Sequence, residues 1–243
     1  MLSKNQIKYI TQLKQKKYRN QHNVFVAEGI KVVYELLESP LELVHLYSTE
    51  EWQIPFPEAL FTIITEAELK KISSLTTPNQ CLALFKIKEP ELPKIHGLKL
   101  ALDDVRDPGN LGTIIRLCDW FGIEDLICSK ETVDVYNSKV VQATMGSLTR
   151  VNVFYTDLSD YLKGYEQAVF GTFMDGENIY KQALPTEGII VMGNEANGIS
   201  KEIEDLVTRK ISIPRFGNLQ QTESLNVATA AAIVLSEFKR NGL

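Results

Sequence analysis

The C-terminal part of the chain alternates short apolar runs with amphipathic helical patterns. Residues 99–103, 125–128 and 188–192 predict strands, whereas 111–121 and 224–239 have helical periodicity. Alternation of this kind is typical of a parallel sheet with helices on both faces, and it predicts an α/β fold for this part. The other predicted strands are 151–154, 168–172 and 210–214, and the other predicted helices are 138–148, 158–163 and 201–207.

The N-terminal part predicts a smaller unit that also mixes helices and strands. Apolar residues recur at helical spacing over 30–37, and runs at 24–26 and 81–85 predict strands. Thr65 and Glu68 have the spacing of a capping box, which predicts the start of another helix.

A stretch of prolines and charges without periodicity separates the two parts, which is typical of a linker. We therefore predict a small domain at 1–88, a linker at 89–97 and a larger domain at 98–243.

The composition excludes several classes of protein. Hydrophobic residues make up 44% and charged residues 23%, which is ordinary for a globular chain and excludes disorder. No apolar run approaches the ~18 residues of a membrane helix, and the N-terminus lacks the apolar core of a secretory signal. The three cysteines form no CxxC pair and there are only three histidines, so we expect reduced thiols, no metal and a cytoplasmic location.

The charge is distributed unevenly. The net charge of −5 excludes a uniformly basic nucleic-acid binder, but residues 1–27 carry six Lys or Arg and no Asp or Glu. A local basic segment can contact nucleic-acid phosphates, and it can equally be a solvated helix face, so charge alone leaves both open. The candidate phosphate contacts are Lys14, Lys16, Lys17 and Arg19.

Three loops that follow predicted strands are rich in glycine and side-chain amides, and ligands of parallel sheets bind at the carboxyl ends of strands. In the loop 103–112, a Pro-Gly pair predicts a turn and Asn110 a helix N-cap. Arg116 lies off the apolar stripe of the following helix. The residues alone favour a surface pair with Asp119 over an anion-binding role.

The loop 193–200 has the glycine spacing of a phosphate-binding loop but not its chemistry. Ile199 occupies the position of the phosphate-binding Lys, and Glu195 would repel a phosphate. The charge therefore argues against ATP and GTP as ligands, and no GxGxxG motif follows a strand. Gly193 and Gly198 instead suit close backbone contact with a neutral or cationic ligand.

The third loop, 213–226, is long, and long loops are often functional. Ser224 is placed to cap the last helix, which would leave Asn226 in its first turn. That helix carries four alanines at 228 and 230–232, which would allow another element to approach closely.

Together, the three loops resemble the sequence motifs of the SpoU/TrmH family of SPOUT RNA methyltransferases. Motif 1 corresponds to 102–116, motif 2 to 191–200, and motif 3 to 213–214 followed by 224–228. All three occur in the family's order across residues 98–240. The N-terminal part is similar to the ribosomal-protein-like substrate-binding domain that precedes many members.

The resemblance implies methyl transfer from S-adenosyl-L-methionine to a ribose 2′-hydroxyl of RNA, with rRNA favoured over tRNA by the N-terminal domain. It also implies a SPOUT fold with a C-terminal trefoil knot, and a homodimer with the active site at the subunit interface. By position, the implied active-site residues are Asn110, Arg116, Glu195, Ser224 and Asn226, and the implied cofactor-binding residues are Gly193, Ile213 and Leu225.

Two departures from the family pattern stand out. The stretch between Pro214 and Ser224 is about three residues longer than the shorter family pattern, and Cys118 replaces a common alanine. We interpret Cys118 as a packing residue. The alternative to an enzyme is an RNA-binding or ribosome-assembly factor, which would not need Asn110, Arg116 and Glu195 together with Asn226.

Overall fold

The computed structural model of the protein describes residues 1–50, 57–217 and 224–240. The chain forms two compact units. The first comprises Met1–Glu89 and Asp134–Thr149, and the second comprises Pro90–Val133 and Arg150–Leu243. Residues 134–149 were expected in the second domain, so the structure assigns this segment differently from the sequence.

The elements of the described chain follow in order. The helices are α1 Lys4–Gln12, α2 Lys16–His22, α3 Ile30–Leu37, α4 Glu66–Ile72, α5 Pro108–Phe121, α6 Ser138–Thr144, α7 Leu158–Lys163, α8 Lys201–Glu204 and α9 Val227–Arg240. The strands are β1 Val24–Glu28, β2 Leu43–Ser48, β3 Phe61–Ile63, β4 Cys81–Lys86, β5 Leu98–Leu102, β6 Asp125–Ser129, β7 Asn152–Thr156, β8 Val169–Asn178, β9 Gly188–Met192 and β10 Arg209–Ser212.

The second unit contains a six-stranded sheet in the order β10-β8-β9-β5-β6-β7. All five strand pairs are parallel, which confirms the predicted parallel α/β sheet. Every residue of β5, β6 and β9 is buried, as expected for inner strands covered on both faces. Because β5 and β9 are neighbours, the loops that follow them leave the same edge of the sheet.

The first unit has a four-stranded sheet in the order β1-β4-β2-β3, with α6 packed against β1. The ring of Phe25 on β1 lies 4.7 Å from that of Tyr136, just before α6. Val140 and Val141 of α6 are buried. Apolar burial on β1 therefore explains why 134–149 belongs to this unit.

The start of α5 differs from the predicted cap. Asp107, not Asn110, caps the helix, and its carboxylate accepts a hydrogen bond from the Asn110 amide at 2.8 Å. Pro108 then occupies the first helical position, where its fixed φ is favourable and its missing N–H costs nothing. The Asn110 side chain is consequently available for other contacts.

The start of α9 also differs. Ser224 was predicted to cap it, but the helix begins at Val227, and the Asn226 Oδ1 accepts from the amides of Ala228 and Thr229 at 3.0 and 3.2 Å. Ala231 is fully buried, and α9 packs against α5. The small residues therefore permit a close approach within the chain.

The buried Arg19 side chain connects two segments of the first unit by hydrogen bonds and an ion pair. Its Nη1 donates to the carbonyls of Leu13 and Lys14 at 2.9 Å, and its Nη2 pairs with Asp134. Only 4% of its side chain is exposed. The guanidinium therefore has little surface to offer a phosphate, and we remove Arg19 from the proposed phosphate contacts.

We predict that Arg19→Ala destabilises the first unit, because it removes a buried guanidinium and leaves the part-buried Asp134 carboxylate without its cation. Loss of one partner of such a pair typically costs ~3–5 kcal/mol of unfolding free energy. Urea denaturation followed by circular dichroism measures the change. Lys8→Ala, at an exposed position of α1, is the matched control and should stay within ~0.5 kcal/mol of the parent.

Candidate active site

Direct hydrogen bonds hold together the loops that follow β5 and β9. The Asn194 Nδ2 donates to the Asp104 carbonyl at 2.7 Å, and the Ser200 amide donates to the Asp103 Oδ2, also at 2.7 Å. Asp103 is buried. We call residues 103–107 the first site loop and residues 193–200 the second site loop.

The second site loop is a tight turn closed on itself. Asn194 and Gly198 exchange backbone hydrogen bonds of 2.9 Å in both directions, and the Asn194 Oδ1 accepts from the amides of Ala196 and Asn197. A Cβ on Gly193 would lie 2.2 Å from backbone atoms of Gly198. Close backbone packing therefore explains the Gly193 position without any phosphate ligand.

Three residues, one from each of the three motifs, form a continuous hydrogen-bonded cluster, which we call the amide–carboxylate cluster. The Asn226 Nδ2 donates to the Asn110 Oδ1 at 2.9 Å, and the Asn110 Nδ2 donates to the Glu195 Oε1 at 2.9 Å. Glu195 also accepts from the backbone amides of Arg106 and Asp107, at 3.4 Å each. The structure thus brings together three of the five active-site candidates.

Arg116 lies outside this cluster. It is exposed on α5 and makes no hydrogen bond or ion pair with any residue in the described ranges. The alternative surface pair does not form, because the Asp119 carboxylate accepts from Arg150 Nε at 2.9 Å. Six helical residues separate Arg116 from Asn110, which places it about 9 Å further along the axis and roughly 120° around it.

The remaining candidates flank the cluster in sequence. Ser224 and Leu225 are exposed immediately before Asn226, and Ile213 is half-buried directly after β10. The longer stretch between Pro214 and Ser224 falls largely on 218–223, outside the described residues, so its effect on cofactor contacts stays a prediction.

Sequence reasoning missed Asp104 and Arg106. Asp104 adopts the left-handed conformation with φ 57°, which Asp tolerates better than most residues, and its Oδ1 accepts from Arg106 Nε at 2.8 Å. This hydrogen bond raises the pKa of Arg106. No periodicity marks such a pair. The only sequence signal is a run of acids around one Arg.

The cysteines do not contribute nucleophiles. All three are buried free thiols. Burial raises the pKa of Cys81 to about 12 and raises those of Cys118 and Cys128, so each thiol stays protonated. Full burial of Cys118 agrees with its interpretation as a packing residue.

The described ranges contain neither a group of three or more His, Cys, Asp or Glu able to hold a metal ion nor a helix with the length and apolar composition to cross a bilayer. The second site loop carries one carboxylate and no Lys or Arg. The arrangement therefore suits a neutral or cationic ligand beside amide groups.

The parallel sheet and its linked motif loops define the class of protein. Residues 97–236 match the SpoU rRNA Methylase family, and residues 4–83 match the MRM3-like substrate binding domain. The chain belongs to the SpoU family of methyltransferases, which confirms the membership expected from the three motifs.

Individual relatives align over nearly the whole chain. The 23S rRNA (guanosine(2553)-2'-O)-methyltransferase RlmP of Bacillus subtilis is 31% identical, over 98% of this chain and 97% of its own. A Porphyromonas gingivalis protein assigned to the TrmH family of RNA methyltransferases is 39% identical, with a TM-score of 0.89 and 99% of both chains covered. An AdoMet-bound rRNA methyltransferase from Sinorhizobium meliloti is 29% identical, with a TM-score of 0.87 over 100% and 97% of the two chains.

We predict that Gly193→Ala disrupts the second site loop, because the added methyl group would overlap the Gly198 backbone. Overpacking of this kind typically costs ~1–3 kcal/mol. Thermal unfolding measures the loss. Gly164→Ala is the matched control, since a Cβ there meets only ordinary contacts at 3.8 Å, and equal stability of both variants would contradict the prediction.

Proposed function

We propose that the chain methylates a ribose 2′-hydroxyl of rRNA, with S-adenosyl-L-methionine as methyl donor. The observation that carries the proposal is the amide–carboxylate cluster, in which side chains from all three motifs hydrogen-bond to one another. Loops with only a connecting role would not need these side chains. Support for the RNA class comes from the B. subtilis relative, whose name specifies 2'-O-methylation of 23S rRNA, and from the MRM3-like substrate binding domain.

The site residues fit the proposed cofactor. S-adenosyl-L-methionine supplies a methyl group activated by a positively charged sulfonium. Gly193, Ile213 and Leu225 would hold it through backbone groups, and a second site loop without Lys or Arg does not repel its charge. The AdoMet-bound S. meliloti structure, which aligns over the whole chain, supports this assignment.

Within the site, we assign positioning to the cluster and charge stabilisation to Arg116. Negative charge develops on the ribose oxygen as its proton leaves, and a guanidinium beside that oxygen would lower the energy barrier to methyl transfer. A guanidinium group gives up its proton too reluctantly to act as a base, so we do not assign that role to Arg116. Asn110 and Asn226 would orient the hydroxyl, while Glu195 holds the first site loop. Ser224, two residues before Asn226, is the fifth proposed active-site residue.

The N-terminal unit would bind the RNA through its basic helices. Lys14, Lys16 and Lys17 are exposed residues of the α1–α2 region, although the Lys14 Nζ also donates to the Ser73 carbonyl at 2.9 Å. We keep these three lysines as proposed phosphate contacts.

We further propose a cytoplasmic homodimer that contains the family's trefoil knot. Trp120 on α5 is 84% exposed, and large exposed aromatic side chains favour interfaces. It follows Arg116 by one helical turn, so an interface there would place the partner close to the site. The alanines suggested as a dimer surface are partly used inside the chain, since Ala228 and Ala231 are buried.

The proposed function is tested by methyl transfer from labelled S-adenosyl-L-methionine to rRNA, followed by mapping of the modified ribose. Arg116→Ala and Arg116→Lys should each lower turnover ~100–1,000-fold, since both lose the positioned guanidinium. Cofactor affinity by calorimetry should be unchanged. Near-normal turnover of Arg116→Lys at saturating RNA would make Arg116 a surface cation, and no transfer by the parent would refute the function.

We predict that Trp120→Glu shifts the protein from dimer to monomer, because a charge would replace the apolar centre of the proposed interface. Sedimentation velocity at micromolar concentration measures the change. Met174→Glu, at a position that is 58% exposed, is the control and should leave the dimer intact. A parent protein that sediments only as a 27 kDa species would contradict the homodimer.

A further inference from the structure

Arg106 lies directly beside the amide–carboxylate cluster. Its backbone amide donates to the Glu195 Oε2 at 3.4 Å, and its side chain is 71% exposed. The Nε donates to Asp104 Oδ1 at 2.8 Å. A charged and accessible guanidinium is thus fixed next to the residues assigned to the ribose.

The support of Arg106 is itself held in place. Asp104 donates its backbone amide to the Ser129 Oγ at 3.0 Å and accepts from the Asn194 Nδ2 through its carbonyl. Asp104 makes these contacts from a left-handed backbone conformation, with φ 57°. The anchoring uses only the Nε of Arg106, and its Nη1 and Nη2 bond to no residue of the described chain. Four N–H donors are therefore available to a ligand.

The charges of the two site loops indicate which kind of ligand these N–H donors would bind. The loops contain four carboxylates, on Asp103, Asp104, Asp107 and Glu195, and Arg106 is their one Lys or Arg. An RNA strand that brings its ribose to this edge of the sheet also brings a phosphate on either side. A polyanion approaching four carboxylates needs a compensating cation, and Arg106 supplies it within the loops.

We infer that Arg106 binds a backbone phosphate next to the ribose to be methylated, which makes it an RNA-positioning residue of this site; the inference rests on the proposed function. A guanidinium held through Nε presents its two amino groups as a fork that matches two phosphate oxygens. A plain surface ion pair between Asp104 and Arg106 would explain the Nε contact but not the fixed left-handed support or the open fork beside the cluster.

The test is the salt dependence of RNA binding together with steady-state methylation. Arg106→Ala should weaken RNA binding about 10-fold and reduce the slope of log K against log salt by ~0.7–0.9, the value of one lost phosphate contact. The KM for RNA should rise about as much, with kcat within about twofold. Cofactor affinity should not change, because the second site loop is intact.

Three further variants separate charge from positioning. Arg106→Lys should keep the salt slope but lose part of the affinity, since an ammonium group cannot bind two oxygens as a fork. Asp104→Gly, which suits the positive φ, should also keep the slope while raising the KM, because the guanidinium loses its anchor. Lys163→Ala removes one exposed charge at the end of α7 and should behave like the parent.

An unchanged slope in Arg106→Ala, with the parent active, would overturn the inference and leave the proposed function standing. A slope change of the same size in Lys163→Ala would also overturn it, because the effect would then be one of net charge. An inactive parent would instead refute the proposed function itself.

Discussion

The carboxylate of Glu195 is the interaction on which the arrangement of the site depends. It belongs to the loop after β9 but accepts its hydrogen bonds from the loop after β5 and from Asn110 at the start of α5. Such an acceptor is useful only if β5 and β9 are adjacent and parallel, as they are here. Sheet topology and site geometry are therefore one constraint, since a different strand order would leave Glu195 without these donors.

The sequence predicted best the elements whose signal is local. The helices Ile30–Leu37 and Leu158–Lys163 and the strand Gly188–Met192 occur with the predicted bounds. Their periodicity or continuous apolar character lies within a few residues, so no distant contact can override it. The capping box at Thr65 and Glu68 forms for the same reason, because both of its hydrogen bonds join residues three apart.

One error occurred where a distant partner decides the outcome, and another where a neighbouring residue competes for the same position. Arg19 has the sequence setting of a surface cation, but Asp134, 115 residues away, pairs with it. Asn110 is a good cap by residue type, but Asp107 occupies that position and leaves Asn110 to contact Glu195. The motif residues of the site could be named from the sequence, whereas their contacts, and the role of Asp104 beside them, depend on how strands far apart in the chain are paired.

The segment Asp134–Thr149 has a consequence for how the molecule is made. The first unit contains β1, but α6, the helix that packs against β1, comes later in the chain than β5 and β6 of the second unit. A ribosome must therefore synthesise about 60% of the chain before the N-terminal unit can complete its packing, and β5 and α5 emerge while that unit is still open. Truncation in the proline-rich stretch after residue 88 would therefore leave the first unit without the helix that packs against β1, because that helix belongs to this unit but lies later in the chain.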